Sequence, residues 1–524
     1  MSASKSKTSL FSAMVLTSMR SFAICRSSVL SIWSRCPKMF DVAPREPIRP
    51  LYWPDIVLDL HDLLAAEWTG VYIVGGAVRD AFLHRPLKDL DLTVAKDSLS
   101  LARFIVNHFD GDFYVLDEQR QVARVLLPTD EGRFTIDIAQ FRGVNLLDDL
   151  MDRDFTVNAM AVDITGELNL LIDPLHGEKD AIDKIIRRCT VDSISSDPIR
   201  ALRAVRQSIQ LDARIDSETM GDIRAVNLAA VSAERIRDEL MAILKQNRSA
   251  AALRIAFKLG LLKEIFPQLD ALDDMVISES GGRSRWQLTL DVIENLAQIS
   301  LAISPHRTDH TAASFGLGMM VMQFDRYRAQ LQQHFATTWP DERPHQSILV
   351  LAVILHAISV LPGKDARTVV QDYMIGLRLS NVEKQHLLKI VSNFERLQQI
   401  DDLSTLGIYQ FWKDVGAAGV DICLIGLAEY LSYHRLEFDQ DVWLQLVDKA
   451  NTLLDAYFLH YETCIMPPAL LSGDDIMNAF GLKPGAMIGE LLEVIRRGQV
   501  TGDVLSVDDA LRLVEDYLAD HNLN

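Results

Sequence analysis

What the sequence lacks narrows it first. Five cysteines (Cys25, Cys36, Cys189, Cys423 and Cys464) are scattered through 524 residues with no CxxC pair. That excludes a disulfide scaffold and a cysteine zinc finger and fits a reducing compartment. No apolar run approaches the roughly 20 residues of a bilayer span, so no membrane crossing is expected of the main body. Basic excess is missing too: the net charge is −19. This argues against coating nucleic acid by bulk electrostatics, but a local basic groove stays open because association follows the field at the site. Residues 1–40 contain no Asp or Glu, many Ser, and Lys5, Lys7, Arg20, Arg26, Arg35 and Lys38. Such a segment reads either as an organellar transit peptide or as a mis-called start upstream of Met39. Residues 1–45 are therefore kept out of the fold. A cytoplasmic location is expected, or an organellar one if the transit segment is genuine.

What is present divides in two. The length exceeds one compact core, so several domains are expected. From about 50 to 190, strand and helix signals alternate: "GVYIVGG" ends a buried strand in a glycine turn, "AVRDAFLHR" is a short helix, and "DLDLTVA" alternates with period two. "LSLARFIVNHF" is helical, "DFYVLD" and "QVARVLL" read as paired strands, and "RFTIDIAQ" alternates again. This predicts a small mixed sheet with helices on one side. Beyond about 190 the strand signals give way to 3.6-period segments that run to the C-terminus. The expected class is α+β: a head at 50–190, a helical neck at 191–265, a helical body at 266–464 and a helical tail at 465–524.

Asp89 and Asp91 carry the first chemical signal. At i and i+2 of a strand both carboxylates project from one face. Like charges that close are tolerable when partly protonated or when they hold a cation, and a sparse set of hard oxygens suits Mg²⁺ beside substrate phosphates. An exposed strand end explains a lone DxD equally well. Gly75 and Gly76 follow a strand and precede a helix, where backbone amides can approach an anion at the helix start. Arg79 on that helix can add a cation to a triphosphate, with Asp80 free to pair with a neighbouring base. Asp137 lies on an alternating strand in phase with Thr135 and Ala139, a candidate third carboxylate.

These motifs resemble the class II nucleotidyltransferases, which comprise tRNA CCA-adding enzymes and bacterial poly(A) polymerases. The resemblance rests on G-G-A-V-R-D followed by D-L-D, on "DRDFTVNAMAVD" (152–163), "DPLHGEKDAIDKIIR" (173–187), "SDPIRALRAVR" (196–206) and "ERIRDEL" (234–240), and more loosely on "PPALLSGDDIMNAFGLKPGAMIGELL" (467–492). It implies a DNA polymerase beta-like head and addition of CCA, or part of it, to tRNA 3′ ends from CTP and ATP. Template-free poly(A) synthesis, or a non-catalytic RNA-binding relic, are the alternatives. By the same resemblance Asp89, Asp91 and Asp137 would hold Mg²⁺, and Gly75, Gly76 and Arg79 the triphosphate. Arg153 would meet phosphate, Asp154 would accept from the ribose 2′-hydroxyl, and Asn158 would brace the pocket.

Nucleobase choice is expected from Asp197 and Arg200, placed at i and i+3 of a helix. Aspartate only accepts and arginine only donates. Cytosine and adenine offer an amino donor beside a ring-nitrogen acceptor, whereas uracil and guanine invert that pattern, so one Asp/Arg pair can admit the first two and reject the others. Arg203 and Arg206 continue the basic stripe toward phosphates or the head. Three positions depart from the family pattern: Ser196 replaces an acidic residue, Asp152-Arg153 replaces paired arginines, and Gln207 stands where an aromatic residue is often found. In the body, "LAVILHAISVLPGK" (351–364) keeps His356 but has Ala357 in place of the metal-binding Asp of related His-Asp phosphohydrolases. "SRWQLTLDVIENL" lacks the histidines expected there, and "LSNVEKQHLLKIVSNFERL" lacks one at its matching place. No phosphohydrolase activity and a scaffold or RNA-clamping body follow, with His356 a satisfied core histidine. In the tail, Gly485, Gly489, Arg496 and Arg497 suit phosphate contacts or a capped surface helix.

Overall fold

The computed structural model describes residues 43–130, 132–304, 315–363 and 365–521. The acid-free segment 1–40 lies outside them. The chain forms two compact units, Met1–Ser196 with Ala213–Thr219, and Asp197–Asp212 with Met220–Asn524.

The first unit is built on a six-stranded sheet. In chain order its elements are α1 (Asp55–Glu67), β1 (Val71–Val74), α2 (Gly76–Phe82), β2 (Asp89–Val94), α3 (Ser98–Phe109), β3 (Asp112–Asp117), β4 (Val122–Thr129), β5 (Gly132–Gln140), α4 (Leu146–Met151) and β6 (Ala161–Asp163). The strand order is β3-β4-β5-β2-β1-β6, mixed as expected. β2 and β5 pair parallel, while β1–β2, β1–β6, β3–β4 and β4–β5 pair antiparallel. Alternation sets the faces: Leu90, Leu92, Val125, Ile136 and Ile138 join Val57, Leu60 and Leu64 of α1 and Leu101 and Ile105 of α3 in one core. The opposite face is not bare. Val74 and Ala161 pack there against Leu150, Ala159 and Ile172.

The second unit is almost entirely helical, with two-residue strands at Val276–Ile277, Arg283–Ser284, Thr338–Trp339 and Arg343–Pro344 that the sequence patterns did not reveal. Its helices include α5 (Arg200–Gln210), α6 (Ala233–Leu244), α7 (Arg285–Ile303), α8 (Arg328–Phe335), α9 (His345–Ser359), α10 (Asn381–Ser392) and α11 (Ala418–Tyr433). Capping boxes start α7 and α10, where Ser284 and Ser380 accept from the backbone while Gln287 and Glu383 reach back. The tail, α12 (Gly473–Phe480), α13 (Ala486–Thr501) and α14 (Val507–Asp520), closes its own core around Ile476, Leu491, Ile495 and Val514. Gly485 immediately precedes α13, and Gly489, Arg496 and Arg497 lie on it. Among the described residues no single helix is long and apolar enough to cross a membrane.

Candidate active site in the sheet unit

Strand β1 ends at Val74 and the chain turns at Gly75 into α2, whose first residue is Gly76. Gly75 has φ 77° and ψ −142°, a conformation that costs any residue with a Cβ. Space forbids a side chain as well: a Cβ there would stand 2.8 Å from Oδ2 of Asp91 and 3.1 Å from Nη1 of Arg153. The turn therefore lies flush against the carboxylate, as expected if the two motifs form one site. Gly75→Ala is expected to destabilise the fold by about 2 kcal/mol, from strain and crowding together. A urea unfolding series on both proteins measures it, and an unchanged midpoint would refute the constraint.

Asp89 and Asp91 both leave β2 on the face opposite Leu90 and Leu92. Neither carboxylate has a hydrogen-bond or ion-pair partner among the described residues. By area Asp91 is exposed, yet protein atoms crowd it on most sides, so it stands on the floor of an open recess. Crowding pushes its pKa up to about 6. The Arg153 charge opposes this, the Asp89 and Asp137 charges reinforce it, and Arg142 opposes it weakly.

Asp137 is the direct partner of Asp91 across the parallel β2–β5 pair. It is engaged, however. Arg124, its partner on β4, donates Nε–H to Oδ1 at 2.7 Å and Nη2–H to Oδ2 at 2.8 Å. A bidentate pair of this kind closes both oxygens, so Asp137 is not the open ligand the sequence suggested. Arg124 was missed, although its period-two phase on β4 matches that of Asp137 on β5.

Arg79 is also committed. It is buried, binds both oxygens of Asp80 and donates Nη1–H to Oδ1 of Asn158 at 2.6 Å. Asn158 in turn donates Nδ2–H to Oδ1 of Asp154 at 2.9 Å. The Arg79 guanidinium thus reaches Asp154 through Asn158. Arg153 is held by Asp149 at 2.9 Å and is close enough to shift Asp91.

In the second unit, Asp197 does not share a helix with Arg200. Pro198 disfavours helical geometry at the residue before it, and α5 begins at Arg200. The two side chains are 3.8 Å apart, a loose pair. Asp197 is instead clamped by Arg235 of α6, Nη1–H and Nη2–H each at 2.9 Å. Arg235 belongs to "ERIRDEL", so the signal was at hand but its partner was not legible. Arg206 turns to Glu239 of α6 rather than outward. Arg203 is partly buried on α5 between them.

His356 lies on α9 and is buried, stacked on Phe394 at 3.7 Å between ring centroids. It is a core histidine but not a satisfied one, since neither ring nitrogen makes a well-formed hydrogen bond. Burial, aided by the Arg285 charge, lowers its pKa to about 3. The body does hold a histidine group the sequence reading missed: His334, His345 and His386 surround Asp421.

Comparison with known proteins places this architecture. The family described as "Poly A polymerase head domain" matches residues 71–187, and "Probable RNA and SrmB- binding site of polymerase A" matches residues 214–273. The CC-adding tRNA nucleotidyltransferase of Geobacter sulfurreducens is 30% identical over 87% of this chain and 92% of its own length. The A-adding tRNA nucleotidyltransferase of Deinococcus radiodurans is 27% identical over 85% and 95%. A solved complex of a CCA-adding enzyme with ATP shares the fold, with a TM-score of 0.59 at 21% identity over 89% of this chain and 96% of that one. The 30% identity to the Geobacter enzyme, over 87% of this chain and 92% of that one, means that the chain belongs to the tRNA nucleotidyltransferase family and is a nucleotidyltransferase.

Proposed function

We propose that the protein extends tRNA 3′ ends by transferring CMP from CTP, building the cytidine part of CCA. The observation that carries the reading is the pair of unpartnered carboxylates, Asp89 and Asp91, standing against the Gly75 turn. Mg²⁺ fits this donor set: hard oxygens, few in number, crowded enough that Asp91 resists ionising without a cation. When bound, the ion neutralises triphosphate charge and activates the attacking 3′-hydroxyl. Asp89 and Asp91 would hold it, and Asp137 would join them only by giving up its pair with Arg124. The Gly75 turn and the start of α2 present backbone N–H groups to phosphate, and Arg153, on the same recess, adds positive charge. Arg79 acts at one remove, fixing Asn158 and through it Asp154, the proposed acceptor for the ribose 2′-hydroxyl. Asp197, oriented by Arg235, is the proposed reader of the base amino group.

Partial rather than complete CCA synthesis is favoured because the Geobacter and Deinococcus relatives, matched over 87% and 85% of this chain, are named for adding CC or A alone. Adenosine addition is the second reading, on the strength of the Deinococcus relative. The test supplies a tRNA stripped of CCA, the same tRNA ending in CC, and an unrelated RNA, each with one labelled nucleotide and Mg²⁺. Incorporation of C onto the stripped tRNA and no growth of the CC form is expected. Growth of the CC form with ATP would mean complete CCA addition if the stripped tRNA also takes up C, and would overturn cytidine addition in favour of A addition if it does not. Runs of A on unrelated RNA would indicate poly(A) synthesis, and no incorporation with no ATP or CTP binding would mark a relic.

A further inference from the structure

Four helices of the second unit send side chains to one buried point. His334 lies at the end of α8, His345 is the first residue of α9, His386 lies on α10 and Asp421 in the first turn of α11. All three histidines turn Nε2 to the same carboxylate: His334 and His345 to Oδ1 at 2.8 Å each, His386 to Oδ2 at 2.7 Å. Asp421 is fully buried, and its ion pairs among the described residues are with these rings alone, with no lysine or arginine. The ligand atoms of His334, His345 and Asp421 lie within 4.8 Å of one another. Trp339 covers the group, stacking on His345 at 5.7 Å and leaning on His386 at 4.8 Å.

The cluster is not a remnant of the His-Asp motif. His345 precedes His356 by eleven residues on α9, so the two are about 16 Å apart along the helix. Asp421 precedes Glu429 by eight residues on α11, and Glu429 and His356 both feel the Arg285 charge at the far end of the same helices.

We propose that His334, His345, His386 and Asp421 form a structural transition-metal site, with Zn²⁺ as its ion. Three imidazoles and one carboxylate converging from four helices are the donor set Zn²⁺ takes, at ligand distances of about 2.0–2.2 Å. The ligand atoms of His334, His345 and Asp421 are already grouped, and His386, which approaches from Oδ2, turns inward to complete the shell. A buried carboxylate with no fixed cation gains its counter-charge from the ion. His334 and His386 are 11% exposed and the other two ligands less, so the shell is closed and the ion cross-links α8, α9, α10 and α11 without offering an open position for chemistry.

The full-length protein, purified in excess Mg²⁺ so that the sheet acids are saturated with a hard cation, is assayed for metal by mass spectrometry. About one zinc per chain is expected, falling at least tenfold in Asp421→Asn and in His386→Gln. Stripping the zinc with a chelator is expected to lower Tm by about 5 °C or more, and Zn²⁺ should restore it. Should Asp421→Asn not fold, the wild-type protein still decides: Co²⁺ added to the stripped chain should give the visible d–d bands of a four-coordinate site. A protein that purifies without zinc, and whose Tm and spectrum ignore both Zn²⁺ and Co²⁺, would overturn the site. So would a folded Asp421→Asn variant that keeps its zinc.

Discussion

Asp91→Ala is expected to lower nucleotide incorporation by about three orders of magnitude or more, since it removes one of the two unpaired carboxylates that β2 presents at the proposed site. Asp89→Ala should behave alike. The stability of Asp91 variants should move the other way. The folded-state pKa is raised from 3.8 to about 6, so the fold favours the neutral acid. The associated stability is full below pH 4, is lost as pH rises through 6, and at pH 7.5 is absent. Asp91→Asn removes the charge and is expected to gain about 1 kcal/mol at pH 7.5 without divalent cations, a figure reduced from the bare shift because solvent reaches the side chain. Mg²⁺ should stabilise the wild type and leave the variant unmoved. Denaturant titrations with and without Mg²⁺ test this beside the incorporation assay. A variant that kept more than a tenth of wild-type activity would remove Asp91 from the chemistry.

The second large effect concerns base choice. Asp197→Ala is expected to cut kcat/KM for CTP by about a hundredfold or more while UTP and GTP change little, because the acceptor proposed to read the 4-amino group of cytosine or the 6-amino group of adenine is lost. Arg235→Ala should cost about tenfold, largely in KM, since Asp197 remains but loses the bidentate clamp that orients it. Arg235→Lys should not rescue it, as one ammonium cannot hold both oxygens in that plane. Single-nucleotide incorporation with all four triphosphates measures the ratios. Equal losses for all four in Asp197→Ala would show a structural role and no part in selection.

How much of this was legible follows the range of the interactions. Alternation along "DLDLTVA" and "RFTIDIAQ" located β2 and β5 and set Asp89, Asp91 and Asp137 on one face, because side-chain phase is a property of the strand itself. The glycine turn was readable for the same reason. Partners were not. Nothing near Asp137 announces that Arg124 will lie opposite it, and nothing near Arg79 that its charge is spent on Asp80 and Asn158. Asp197 was placed on a helix although Pro198 was in plain view, and the local backbone rule outweighed the i, i+3 spacing. The histidine cluster gave no short-range signal, its ligands running from residue 334 to 421 with no two on one helix.

The parallel pairing of β2 and β5 has a kinetic corollary. Asp91 and Asp137 meet across 46 residues of chain, through a helix and a hairpin, so the acidic floor forms only when that long loop closes. A slip of one residue in either strand would point its aspartate into the apolar layer and its leucine or isoleucine at the solvent. Catalytic competence therefore reports that this seam was stitched in register, and misaligned molecules are silent rather than error-prone.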